Sequence, residues 1–217
     1  RQLLIHDIDA YLDDLTGDID TGYFPESGEV SDVLSFYFDF DGAVGGQLEH
    51  GYTTDPASDQ VVYDDISSGK NLVGKIAGND EAGQHMDWSM DLMGWGSQGS
   101  VTPEGLVRTW MDQIDAAAFA YANGNPALDP DGAPVPSVVV TSNGQDLQQL
   151  LEKFLLGAVT FSQGADDYLD DDYKGKGLLS NHEEVEKDEL YTALEHSWDE
   201  GFGYFGASRY YAWMTDD

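Results

Sequence analysis

The sequence contains no cysteine, which excludes disulfides, thiolate metal sites and cysteine nucleophiles. Cations are scarce. Nine Lys plus Arg stand against 42 Asp plus Glu, for a net charge of −33 with His neutral. A chain this acidic does not grip a nucleic-acid backbone, because phosphate contacts need clustered Lys and Arg. It is equally unsuited to an anionic membrane surface. No apolar run approaches the roughly 20 residues that span a bilayer, so no transmembrane segment is expected. The opening Arg1-Gln2-Leu3-Leu4-Ile5 is no signal peptide, since Asp7 and Asp9 interrupt it. His182-Glu183-Glu184 lacks the second His of a zinc-peptidase signature, and no nucleophile elbow or P-loop occurs.

What is present suits one folded domain spanning 217 residues. Hydrophobic residues make up 41% and aromatics 12%, enough for a core, so wholesale disorder is not expected. The acidic excess has three readings. It is a halophile-type surface, a calcium-loaded surface, or a solubility device. Zero cysteine with high acidity fits an exported protein or a halophile's cytosol, and export is the favoured expectation. The chain does not begin with Met, as a mature or trimmed product would not.

Periodicity points to a mainly α fold, a helical bundle with long irregular acidic loops and little or no β. Leu4, Ile5, Ile8, Tyr11, Leu12 and Leu15 fall on one helix face, with Asp7, Asp9, Asp13 and Asp14 opposite and a stop at Thr16-Gly17-Asp18. A short helix is expected over 30–38, an irregular stretch over 39–65, and another short helix over 67–76. The Met- and Trp-rich stretch 78–101 predicts irregular backbone pinned by buried rings. Thr102-Pro103-Glu104 opens a helix that runs to Ala122 and stops at Asn123-Gly124. Four prolines make 124–137 a connector, and Val138-Val139-Val140 reads as a short extended piece. A broad apolar stripe predicts a helix from Asp146 to about Leu169, with Gly157 and Gly164 allowing close helix packing. An acidic linker at about 170–187 precedes a last helix from about Asp188 to about Met214. The Arg209-Tyr210-Tyr211-Ala212-Trp213 run in that helix reads as a packing face, with an aromatic groove for sugar or haem as the alternative.

That helix carries the sharpest constellation. Glu195 and Asp199 are four apart, and His196 is three from Asp199 and four from Glu200, so the groups share one sector. One imidazole and up to three carboxylates could hold a divalent ion, and N plus O ligation suits iron, zinc or manganese better than calcium. The surrounding ring stripe (Tyr191, Leu194, Trp198, Phe202, Phe205) is expected to be buried, so Glu195 and His196 need partners. Gln149, Lys153 and Gln163 are the candidates, and a Lys153 salt bridge is the structural alternative to a metal. Calcium is the second metal expectation. Asp39-Phe40-Asp41-Gly42 and Asp129-Pro130-Asp131-Gly132 each begin like a calcium loop, though neither continues as an EF-hand.

The block Glu195-His196-Ser197-Trp198-Asp199-Glu200-Gly201-Phe202-Gly203-Tyr204-Phe205-Gly206 resembles the hallmark of an uncharacterised exported bacterial family, domain of unknown function 4856. Arg1–Leu4 and Gly144–Lys153 are similar to other blocks of that family. The resemblance implies a periplasmic or extracellular protein, often lipid-anchored, longer at both ends than this chain. A looser likeness to imelysin-like proteins implies a helical bundle associated with iron uptake. Their His-x-x-Glu motif would fall on His196 and Asp199, with Glu200 one place late, which argues against peptidase chemistry and leaves cation binding open.

Three functions follow as expectations. The first is an exported, non-enzymatic metal- or iron-associated binding protein using Glu195, His196, Asp199 and Glu200, with a metal ion or small ligand as its partner. The second is a metallopeptidase-like hydrolase with Glu200 as base. The third is a calcium-stabilised structural or surface-assembly module with a protein partner at the cell surface.

Overall fold

The computed structural model describes residues 1–53, 59–80, 92, 99–185 and 188–206. Most of the Met- and Trp-rich stretch and the 209–213 aromatic run therefore lie outside the described residues. Helix α1 spans Gln2–Thr21, α2 Glu29–Phe38, and the single turns α3 and α4 span Gly42–Gly45 and Tyr63–Ile66. Helix α5 covers Pro103–Ala122 and α6 covers Leu147–Leu155. The chain then widens into two π-helical stretches, Leu156–Phe161 and Gln163–Tyr168, before α7 at Ala193–Phe205. Strand pairing among the described residues is limited to isolated bridges, so the fold is mainly α.

One core joins α1, α2, α5 and α6. Ile8, Leu12 and Leu15 meet Leu34, Ile114 and Leu151 there, all essentially sealed from solvent. Burial of such stripes drives the assembly at roughly 25 cal/mol per Å² of apolar surface. Polar ties fix the helices' relative positions. Gln148 of α6 donates to the carboxylates of Asp9 (2.8 Å) and Asp13 (2.6 Å) on α1. Arg108 of α5 holds Asp39 at 2.7 Å beyond the end of α2 and lies over the Phe38 ring.

Several boundaries differ from the sequence expectation. Helix α1 continues past Gly17 because Ile19 extends the stripe one turn beyond Leu15. It ends at Gly22, whose φ of 116° is the left-handed conformation that only glycine takes without strain. Asp7, expected on the wet face, is only 6% exposed. The short helix over 67–76 reduces to one 3₁₀ turn at Val73–Lys75, although Leu72 and Ile76 are buried. Helix α7 starts at Ala193 rather than Asp188: Asp188 has φ 69°, and Thr192 supplies the cap. It closes at Gly206, with φ 76°. Gly164 does face α7, but Gly157 borders open space. The α5 boundaries and the Asp146 start of α6 agree with the expectation.

Candidate functional site

Helix α7 packs on the second π-helical stretch, and its first turn explains Glu195. Thr192 accepts from the Glu195 N–H at 3.2 Å, and the Glu195 carboxylate accepts from the Thr192 N–H at 2.8 Å. This reciprocal capping box holds the Glu195 carboxyl below the usual range, chiefly through the backbone hydrogen bond. Glu195 is thereby committed to the helix start.

The ring stripe expected to be buried is turned outward. Trp198 is 57% exposed and Phe205 77%. The buried side of α7 is instead its small face at Gly201, against Leu169. His196 is exposed and stacks on Tyr191 with ring centroids 5.1 Å apart. Its Nε2 lies 3.6 Å from Glu200. Asp199 is exposed. The structure thus brings His196 and Glu200 together but gathers no three-ligand group from Glu195, His196, Asp199 and Glu200. A structural zinc site would need more ligands than the His196–Glu200 pair supplies as the side chains stand.

The remaining sequence candidates are also elsewhere. Lys153 donates to Gln149 one turn back and lies 3.4 Å from Glu152, so it is not a partner of Glu195. Gln163 is fully buried and donates to the Lys75 carbonyl (3.3 Å) and to Asp80 (3.2 Å). Asp39 pairs with Arg108, whereas Asp41 caps α3 by accepting from Ala43 N–H at 2.9 Å. Asp129 accepts from the N–H groups of Asp131 (2.9 Å) and Ala133 (2.8 Å), closing a turn, while Asp131 is exposed. Both Asp-x-Asp-Gly segments are used as caps and turns, which Asp favours for the same short side chain that suits calcium. Among the described residues, the group with three carboxylate oxygens close enough to share an ion is Asp170, Asp171 and Asp172.

Behind Glu200 lies a cleft of about 450 Å³ between the first turn of α1, the 63–75 segment, the π-helical stretch and α7. Arg1, Lys70 and Lys75 line it, three of the nine cations in the chain, together with Glu200. Arg1 is fixed by donating from Nε to the Asn71 carbonyl at 2.8 Å, and its guanidinium lies over the Tyr204 ring at 5.6 Å. Tyr204 stacks on Tyr168 at 5.6 Å. The Tyr168 hydroxyl bonds to Glu200, and burial first, then that carboxylate, pushes its ionisation well above the tyrosine norm. On the opposite wall, Tyr63 donates to the buried Asp7 carboxylate. Asp7 also accepts from Gly51 N–H at 3.1 Å. Lys75 pairs with Asp80, whereas Lys70 has no ion-pair partner among the described residues.

Sequence reasoning reached Glu200 but missed the rest of this cleft. The signal that would have found it is the crowding of Lys70 and Lys75 in a chain with so few cations. No helix among the described residues is long and apolar enough to cross a membrane. Residues 113–213 match the family described as domain of unknown function 4856. The match includes Tyr168, Glu200 and Tyr204, while Arg1, Lys70 and Lys75 lie outside it. No curated protein and no solved structure matches the chain.

Proposed function

We propose that this chain is an exported, non-enzymatic binding protein that takes a small anionic molecule in the Arg1–Lys70–Lys75 cleft. The observation that carries this reading is the gathering of cations. Arg1, Lys70 and Lys75 line one cleft, Lys75 paired with Asp80 and Lys70 without an ion-pair partner among the described residues, in a chain whose overall charge is −33. Clustered cations on an otherwise acidic chain favour anions at this place over others. Its volume falls within the roughly 300–1,000 Å³ typical of small-molecule sites. The stacked pair Tyr168–Tyr204 supplies an apolar wall for a ligand body. Glu200 and Tyr168 satisfy one another, and Tyr63 satisfies Asp7, so these groups are preorganised for recognition rather than poised for proton transfer.

Titration calorimetry with small di- and tricarboxylates and with inorganic phosphate tests the reading. Binding should weaken as salt rises and fall by about tenfold in Lys70→Gln, a loss of one charge contact near 1.4 kcal/mol. Lys70 is exposed, so the variant should fold. Affinity indifferent to Lys70→Gln and to salt would remove the cleft from consideration.

A second reading, a calcium-stabilised module, has its own observation. The Asp170, Asp171 and Asp172 carboxylates lie within 4.8 Å of one another and suit a hard oxygen-seeking ion. Elemental analysis of the native protein tests it. Calcium bound at one per chain and lost in the triple Asn variant supports it; iron or zinc lost on His196→Ala supports a His196-centred metal instead.

A further inference from the structure

The π-helical stretch carries a second, unrelated surface. Phe161, Ala165 and Leu169 form a wall shared by two apolar recesses of about 660 and 410 Å³. Ala77, Leu92, Pro103, Phe154 and Ala158 also line the larger recess. Trp198, Phe202 and Phe205 of α7 complete the smaller. Phe161 itself is 73% exposed. An exposed aromatic face of this kind is unusual on a soluble domain and marks an interaction surface. Widened π turns of this sort recur at functional positions, because they re-aim side chains that a regular helix would bury.

Charge decides what fits. The larger recess is edged by Asp166, Asp170, Asp171 and Asp172, with Lys153 the one cation among the described residues of its lining. A second copy of this chain would bring the same acidic edge and a further −33, so self-association here is opposed by like-charge repulsion. An anionic lipid surface is opposed in the same way. The geometry points to a basic amphipathic peptide segment of a partner protein. Its apolar side chains sit in the two recesses on either side of Phe161, and its Lys or Arg side chains meet the Asp170–Asp172 edge. This face takes apolar groups with cations, the opposite chemistry to the anion cleft, and uses different charged residues.

Calorimetry at low salt with a Leu/Lys amphipathic peptide of about 18 residues tests it, against a control in which Gln replaces every Leu. The Leu/Lys peptide should bind at least about tenfold more tightly than the control. Phe161→Ser and the triple variant D170N/D171N/D172N should each weaken it by about tenfold, the triple variant also flattening its salt dependence. Phe161 is exposed, so its replacement tests the surface and not the core. Equal affinity for both peptides would reduce the effect to general acidity and overturn the proposal. So would binding that ignores Phe161→Ser. A concentration-dependent dimer in sedimentation, dissolved by Phe161→Ser, would assign the face to a second copy instead.

Discussion

The Tyr63 hydroxyl donates to the carboxylate of Asp7 across 56 positions of sequence, and that bond joins the first helix to a wall of the Arg1–Lys70–Lys75 cleft. Among the described residues no Lys or Arg pairs with Asp7. Its charge is held by Tyr63, by the Gly51 N–H and by a 3.1 Å approach to His6 Nδ1. A buried carboxylate is tolerated when donors replace its water.

Asp7→Ala should therefore destabilise the protein by about 2 kcal/mol, because it strands a buried hydroxyl and an N–H together. Tyr63→Phe should cost less, about 1 kcal/mol, since Gly51 still reaches Asp7. Urea unfolding measures both. An Asp7→Ala midpoint equal to the parent's would mean that this network contributes nothing.

Asp115 of α5 acts as the cap of a different helix. Its carboxylate accepts from the N–H groups of Gly28 (2.9 Å) and Val30 (3.0 Å) at the start of α2, where Gly28 has no side chain to do so. Asp115→Ala should cost about 1–2 kcal/mol, in the range of a lost N-cap, and Asp115→Asn less. Thermal unfolding followed by circular dichroism should rank the three proteins in that order.

Two glycines should respond in opposite directions. A Cβ at Gly201 would come within 2.8 Å of Leu169 Cγ, so Gly201→Ala should push α7 off the π-helical stretch and cost about 1–3 kcal/mol. A Cβ at Gly157 meets nothing within 4 Å, so Gly157→Ala should stabilise by about 0.5–1 kcal/mol through restricted unfolded-chain freedom. Matching signs in a denaturant titration would contradict the packing described for α7.

Stability should fall at both pH extremes, for opposite reasons. Burial raises the ionisation of Tyr63 and Tyr168, so the stability they contribute is whole below the ordinary tyrosine value of about 10 and declines as pH rises beyond it. Asn79 and Arg108 lower the Glu104 carboxyl, and the Thr192 cap lowers Glu195. Their contribution is present above the ordinary carboxylate value of about 4 and is lost as pH falls through the depressed range. In a spectrophotometric alkaline titration, Tyr63→Phe should remove one tyrosine that ionises only together with loss of helical dichroism. A residue that instead titrates near 10 in the folded protein would refute the Tyr63 assignment.

The helices most legible in the sequence are those with strong local signals. Thr102-Pro103-Glu104 and Asn123-Gly124 mark α5 at both ends, because capping and proline geometry act within one turn. The Leu and Ile stripes of α1 and α6 were readable for the same reason, since helical periodicity is a local property. The Glu195–Glu200 cluster shows where locality misleads. Four and three residues of spacing put side chains in one sector, but Thr192 takes Glu195 into a cap and α7 turns its glycine face inward. The orientation of an amphipathic helix depends on what it packs against, and Leus and rings on both flanks left that undetermined.

By itself the sequence determined the mainly α architecture, the ends of its best-capped helices, the acidic character and the scarcity of cations. Only the tertiary structure decided where those cations meet. Arg1, Lys70 and Lys75 converge with Tyr168, Glu200 and Tyr204 from segments far apart in sequence. It likewise decided that Asp7 and Asp115 are buried rather than solvated. Periodicity and capping are fixed by neighbours along the chain, whereas a cleft and a buried carboxylate's donors are fixed by long-range packing, which no local pattern encodes.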